Sequence, residues 1–118
     1  MNYKLFSPLA LLFLVSCGQK QQAKSTVKDF VKMNFATTDY RFKDFGKLDS
    51  TRYVTDSIIE VMKIRAASDK TFRKDASYGR RVAKEQLKYL PVKMKIADKD
   101  TVLTFYLTNK LTQVVAVK

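Results

Sequence analysis

The apolar positions change period along the chain, and each change marks an element. Val27, Phe30, Val31 and Phe35 recur at three- and four-residue spacing, which predicts an amphipathic helix from Thr26 to about Ala36. Thr26 followed by Asp29 has the form of a capping box at its start. Tyr40 and Phe42 then alternate with Arg41 and Lys43. The phase slips near Phe45 and Gly46, so a short strand over Tyr40 to Leu48 should carry a bulge or bend at the glycine. Ser57 with Glu60 reads as a second capping box, opening a run of Ile58, Ile59, Val61, Met62, Ile64, Ala66 and Ala67. The four β-branched residues in that run argue for strand, while the cap and the Met-Lys-Ile-Arg-Ala-Ala segment argue for helix, and we read it as helix. A stretch from Asp69 to Tyr78, with Phe72 and Ala76 on one face and Gly79 as a stop, either continues that helix or follows as another.

The last third has period two. Leu90, Val92, Met94 and Ile96 alternate with Pro91, Lys93 and Lys95, the pattern of a strand with one dry face, and Pro91 places that strand at a sheet edge near that point. Asp98, Lys99 and Asp100 form a turn, Thr101 to Thr108 the next strand, and Asn109 with Lys110 a turn into Leu111 to Val117. The fold class is therefore α+β. N-terminal helices should pack on a C-terminal antiparallel β-meander of three to four strands, covering one sheet face, in a single small domain over residues 26–118.

The start of the chain belongs to a different category. Leu5 to Val15 is an apolar run of eleven residues behind Lys4, against the roughly 18 to 20 that a membrane-spanning helix needs, so it has the size of a signal-peptide core. Leu14, Val15, Ser16 and Cys17 follow, and then a polar stretch from Gly18 to Ser25. This Leu-Val-Ser-Cys segment resembles the lipobox of bacterial lipoproteins. The resemblance implies cleavage between Ser16 and Cys17, removal of residues 1–16, and lipidation of Cys17 on its thiol and its freed amine. Two or more acyl chains anchor a protein stably, whereas one holds it only marginally. Residues 17–25 then read as the lipidated cysteine and a polar tether, and the eight residues after Cys17 span at most about 28 Å when extended. In the same family Gly18, in place of Asp after the cysteine, favours the outer membrane over the inner one. The expected location is the cell envelope, lipid-anchored. With Cys17 acylated and no other cysteine, no disulfide-linked partner is expected.

Composition narrows the chemistry. The 118 residues contain no His, no Trp and one Cys, which excludes a Ser-His-Asp triad, a Cys-His dyad, a His-ligated metal and a four-cysteine cage. No cofactor or metal is expected. The net charge is +12, or +11 once Lys4 leaves with the signal segment, and it is concentrated. Lys63 to Lys95 holds eleven basic and three acidic residues, a local excess of +8. Arg73, Lys74, Arg80, Arg81, Lys84 and Lys88 are its densest part, with Phe72, Tyr78 and Tyr89 among them, and form the candidate surface for an anionic partner. For an envelope protein that partner is an anionic envelope component or an acidic protein face rather than nucleic acid. A solvated strand edge accounts for the same charges without any partner.

Other chemistry is weaker. Ser25 to Lys28 spells the SxxK of penicillin-recognising enzymes, but no companion SxN or KTG motif follows, and helix capping by Thr26 explains the residues. Asp98 and Asp100 are too few oxygens for a calcium site and suit a turn. The functional expectation is a membrane-tethered envelope lipoprotein with a small basic binding or scaffolding domain and no catalytic residues. Two competing readings stand beside it: a small envelope hydrolase or transferase using carboxylate, Ser or Lys chemistry, and a soluble nucleic-acid binder if residues 1–16 are not a signal.

Overall fold

The computed structural model describes the backbone of residues 7–82 and 84–118 and the side chains of residues 18–82 and 84–118. Residues 1–6 and the side chains of residues 1–17, on which the signal-peptide and Cys17 lipidation readings rest, lie outside the described residues. Two helices and five strands follow in the order α1 (Ser7–Asn34), β1 (Tyr40–Phe45), β2 (Asp49–Thr51), α2 (Asp56–Ser68), β3 (Leu87–Ile96), β4 (Lys99–Leu107) and β5 (Val114–Val117). All pairings are antiparallel, with sheet order β1-β3-β4-β5 and β2 beside β3 further along the edge that β1 occupies. The protein is α+β, with β3, β4 and β5 as its meander.

α1 does not begin at Thr26. Residues 18–25 are helical and continuous with the rest of α1, and Ala23 is fully buried with Val27 and Val31. The polar composition of 18–25 hid this, because a helix that touches the domain on one narrow stripe needs only one small apolar residue per turn there. Thr26 accordingly caps nothing. Its hydroxyl donates to the Leu111 carbonyl at 2.6 Å, tying α1 to the segment before β5. α2 is likewise capped two residues earlier than Ser57, by Thr55, whose hydroxyl accepts from the Ile58 N–H at 3.3 Å. It buries Ile59, Met62 and Ala66 and leaves Ile58, Val61 and Ile64 exposed, so three of its β-branched residues face solvent and the strand reading fails.

No helix forms from Asp69 to Tyr78. Phe72 is drawn instead into a β-bridge with Phe35 at the end of α1, its ring 5.2 Å from that of Phe35 at 75°. Two hydrogen bonds on either side lock the bridge, from Ala36 N–H to the Thr71 carbonyl and from Arg73 N–H to the Asn34 carbonyl, both 2.8 Å. Gly79 is no helix stop either. It lies against Gln113, where a Cβ would collide with the Gln113 Cβ, and its N–H bonds the Val114 carbonyl at 2.8 Å.

Pro91 sits in β3, which is interior to the sheet along most of its length and unpaired on one side only near Pro91. The missing donor is tolerated because β1 ends opposite Val92 and β2 begins opposite Tyr89, so the ladder is open at Pro91 on that side. The Pro91 carbonyl takes the Gly46 N–H at 2.7 Å in the gap. The bend expected at Phe45 and Gly46 is this break between β1 and β2, while the bulge itself falls at Lys43, between Phe42 and Asp44.

The core has two parts. Ala23, Val27, Phe30 and Val31 of α1 pack on Leu90, Val92, Met94, Leu103, Phe105 and Leu107. Ile59 and Met62 of α2 pack on Leu87, Val115 and Ala116, with Tyr106 against them. Tyr106 lies between Phe105 and Leu107, and successive strand residues point to opposite faces. The helices therefore serve two sides of the strands, and α1 covers most of the larger one, with Ala66 of α2 and Phe72 and Tyr78 joining it there. Each fully buried side chain of this kind contributes about 1.5–3 kcal/mol.

Candidate functional site

Among its described residues the segment between α2 and β3 has no helix and one bridge, yet it is held firmly. Besides the Phe72 bridge, the Asn34 side chain accepts from the Ser77 N–H at 2.8 Å and donates to the Phe30 carbonyl at 3.0 Å, and Asn34 is itself buried. Tyr78 lies 5.4 Å from Phe30, ring to ring. These ties fold the segment back over the C-terminal turns of α1 and bring its cations toward α2.

The result is a cavity of about 390 Å³ lined by Lys63 of α2 and by Arg73, Lys74 and Arg80 of the segment, with alanines and Tyr78 between them. Its lining contains no carboxylate. Lys63 is placed by the Tyr78 ring, with its ammonium 5.5 Å from the ring centre, and by Glu60 at 3.7 Å. Arg73 meets Asp75 at 3.3 Å and reaches the Met33 carbonyl at 3.5 Å. Lys74 and Arg80 make no ion pair among the described residues. Burial pushes the Tyr78 phenol above its ordinary value of 10.0, so it is a neutral hydrogen-bonding group at the cavity wall. Four cations and a phenol around a space walled by Ala66, Ala67 and Ala76 can hold an anionic group such as a phosphate, sulfate or carboxylate. No carboxylate, serine or threonine lines the space to act as base or nucleophile.

Of the six basic residues singled out in the sequence, the structure brings three together here, Arg73, Lys74 and Arg80. Arg81 turns away. It donates to the Val54 carbonyl and to Asp56 at 2.7 Å, with its side chain 13% exposed, and so closes the approach to α2. Its Nε is buried without a hydrogen-bond partner among the described residues. Lys84, at φ 62°, lines a separate hollow together with Arg81, and with Arg52, Glu85 and Gln86. Lys88 lies in β3 opposite Ser50 and Leu107. Lys63 belongs to the same basic stretch but was not visible as a site residue, since its partners come from the segment beyond α2.

A second basic feature appears only because residues 18–25 are helical. Lys20, Lys24, Lys28 and Lys32 follow at four-residue steps along α1. Like charges at that spacing cost about 0.2–0.5 kcal/mol per pair in a helix. Lys24 and Lys28 lie 5.2 and 5.6 Å from the centre of the Phe45 ring. The SxxK segment is thereby dismantled, since Thr26 is bonded to Leu111 and Lys28 lies over Phe45. Asp100 pairs with Lys43 at 3.2 Å, which lowers its carboxyl below the ordinary value. No cluster of three or more His, Cys, Asp or Glu that could hold a metal ion occurs among the described residues. Among them, too, no helix is long and apolar enough to cross a membrane.

No family model, no curated protein and no solved structure matches this chain.

Proposed function

We propose that the protein is a lipoprotein of the bacterial cell envelope, anchored through acyl chains on Cys17, whose domain binds an anionic group rather than catalysing a reaction. The observation that carries the binding reading is the convergence of Lys63, Arg73, Lys74 and Arg80 on one cavity without a carboxylate in its wall. Arg73, Lys74 and Arg80 are themselves exposed, and what keeps them close is the segment that carries them, tied to α1 through Asn34, Phe72 and Tyr78. The anchor reading rests on the Leu14 to Cys17 segment and its apolar approach. Gly18 favours the outer membrane as the destination. The partner is an anionic envelope component or an acidic protein face, and nucleic acid does not fit that compartment.

Two experiments test the two halves. Fatty-acid labelling of growing cells should mark the wild type and not Cys17→Ala, and an unlabelled wild type found in the cytosol overturns the anchor. Titration with inorganic pyrophosphate should give salt-sensitive binding that Lys74→Glu with Arg80→Glu weakens by about tenfold or more. Equal binding by wild type and the double variant overturns the cavity as the site.

A further inference from the structure

We propose that the Cys17-proximal end of α1, together with the corner between β1 and β2, is a docking surface for the anionic phospholipid head groups of the bilayer that holds the anchor. The inference rests on the lipoprotein reading and adds to it a second, non-covalent membrane contact, made by residues other than those of the basic cavity.

Its geometry follows from the continuity of α1. Ala23 and Val27 are both fully buried, so the helix is fixed on the domain to within a few residues of Cys17. At 1.5 Å per residue, Lys20, Lys24 and Lys28 stand about 5, 10 and 16 Å along the axis from residue 17. The corner adds Lys47, with Gly46 pinned to Pro91 by its N–H. A hollow of about 490 Å³ is lined by Gln19, Lys20, Phe45, Gly46, Lys47 and Leu48. An aromatic ring and a leucine beside lysine heads suit the boundary between head groups and acyl chains, where long basic side chains keep their charge in the polar layer.

The charges lack a counterpart within the fold. Lys20, Lys24, Lys28 and Lys47 take part in no ion pair among the described residues. Asp29 is the one acidic residue between Gly18 and Asn34. From Lys20 to Lys28 the stripe runs about 12 Å, longer than any single phosphate group can bridge, and an extended anionic surface offers a phosphate at each step. The basic cavity lies level with the C-terminal turns of α1, about 24 Å along the axis from Gly18. Docking by the proximal end therefore leaves the cavity free for its own partner.

The test uses the protein purified with its own anchor and inserted into vesicles of phosphatidylcholine alone or mixed equally with phosphatidylglycerol. Lysine acetylation is read by mass spectrometry, peptide by peptide. Labelling of Lys20, Lys24, Lys28 and Lys47 should fall about threefold or more with phosphatidylglycerol and recover at high salt, while Lys70 and Lys99 stay unchanged. Replacing Lys20, Lys24 and Lys28 together by Gln should remove the protection at Lys47. Equal labelling in both vesicles, or protection as large at Lys70 and Lys99, overturns the docking surface. The mass of the Cys17 peptide in the same sample separates the two readings. An acylated peptide without lysine protection rejects docking and keeps the anchor, whereas an unacylated peptide rejects the anchor and the docking with it.

Discussion

Gly79 shows how a single position can be set by packing alone. Its φ is not positive, so any residue could adopt its backbone, and what requires glycine is the Gln113 Cβ against it. Gly79→Ala should cost about 1–3 kcal/mol, seen as a lower urea midpoint. Gln113→Gly in the same chain should recover part of that loss, and no recovery would mean that the clash is not the cause. Tyr78 couples its ionisation to the fold. Its phenol is raised by burial, so the folded state holds the proton more tightly than the unfolded chain. The stability this adds is complete below the unfolded value of about 10 and is lost as pH rises through the folded value. Thermal melting should fall in alkali above pH about 10, and Tyr78→Phe should flatten part of that fall, since Phe keeps the ring between Phe30 and Lys63 but has no proton to lose. Residual fall is expected from Tyr106, also raised by burial.

At the level of elements, the period-two pattern predicted the meander well because β3 and β4 each bury one face, and a one-residue slip would expose that whole face. The helices were less legible. Both capping boxes were misplaced, since a Ser or Thr followed three residues later by an acid also occurs inside helices, as Thr26 does. The β3–β4 hairpin turns at Ala97 and Asp98, with φ 47° and 66°, one residue earlier than the Asp-Lys-Asp cluster suggested. Two consecutive left-handed residues are the geometry that Asn-Gly adopts most readily. Ala97→Asn with Asp98→Gly should therefore stabilise the protein by about 1 kcal/mol, measured by urea unfolding. A loss of stability would show that the side chains of Ala97 and Asp98 contribute more than their backbone strain costs.

For the molecule as a whole, the decisive feature is that α1 is one rigid piece from Gly18 to Asn34. Hydrogen exchange on the full chain should show the amides from Ala23 to Val27 protected about as well as those of the sheet-facing turn at Phe30 and Val31. A flexible tether would exchange them within the dead time, and that result would detach residues 18–25 from the fold. The same rigidity separates two basic regions that a count of charge merges. Lys63 to Lys95 carries most of the excess, yet its six singled-out residues are split, three into the cavity with Lys63 and Arg81 with Lys84 into another hollow, and the stripe from Lys20 to Lys32 lies outside that stretch altogether.

What the chain alone determined is whatever depends on local order. The alternating residues from Leu90 to Ile96 specify a strand because a strand's faces repeat every second residue, and Leu14 to Cys17 carries its resemblance in four adjacent positions. The absence of histidine limits the chemistry without reference to shape. Only the tertiary structure decided what depends on residues far apart in sequence. Ala23 becomes a core residue because a sheet formed some seventy residues later lies beneath it. Phe72 leaves its helical pattern because Phe35 offers a bridge, and Arg80 and Arg81, adjacent in the chain, go to different fates because Asp56 and Val54 capture one of them. A pattern of periods records which face of an element is dry. It holds no record of which other element will cover that face, and the basic cavity is made by that second choice.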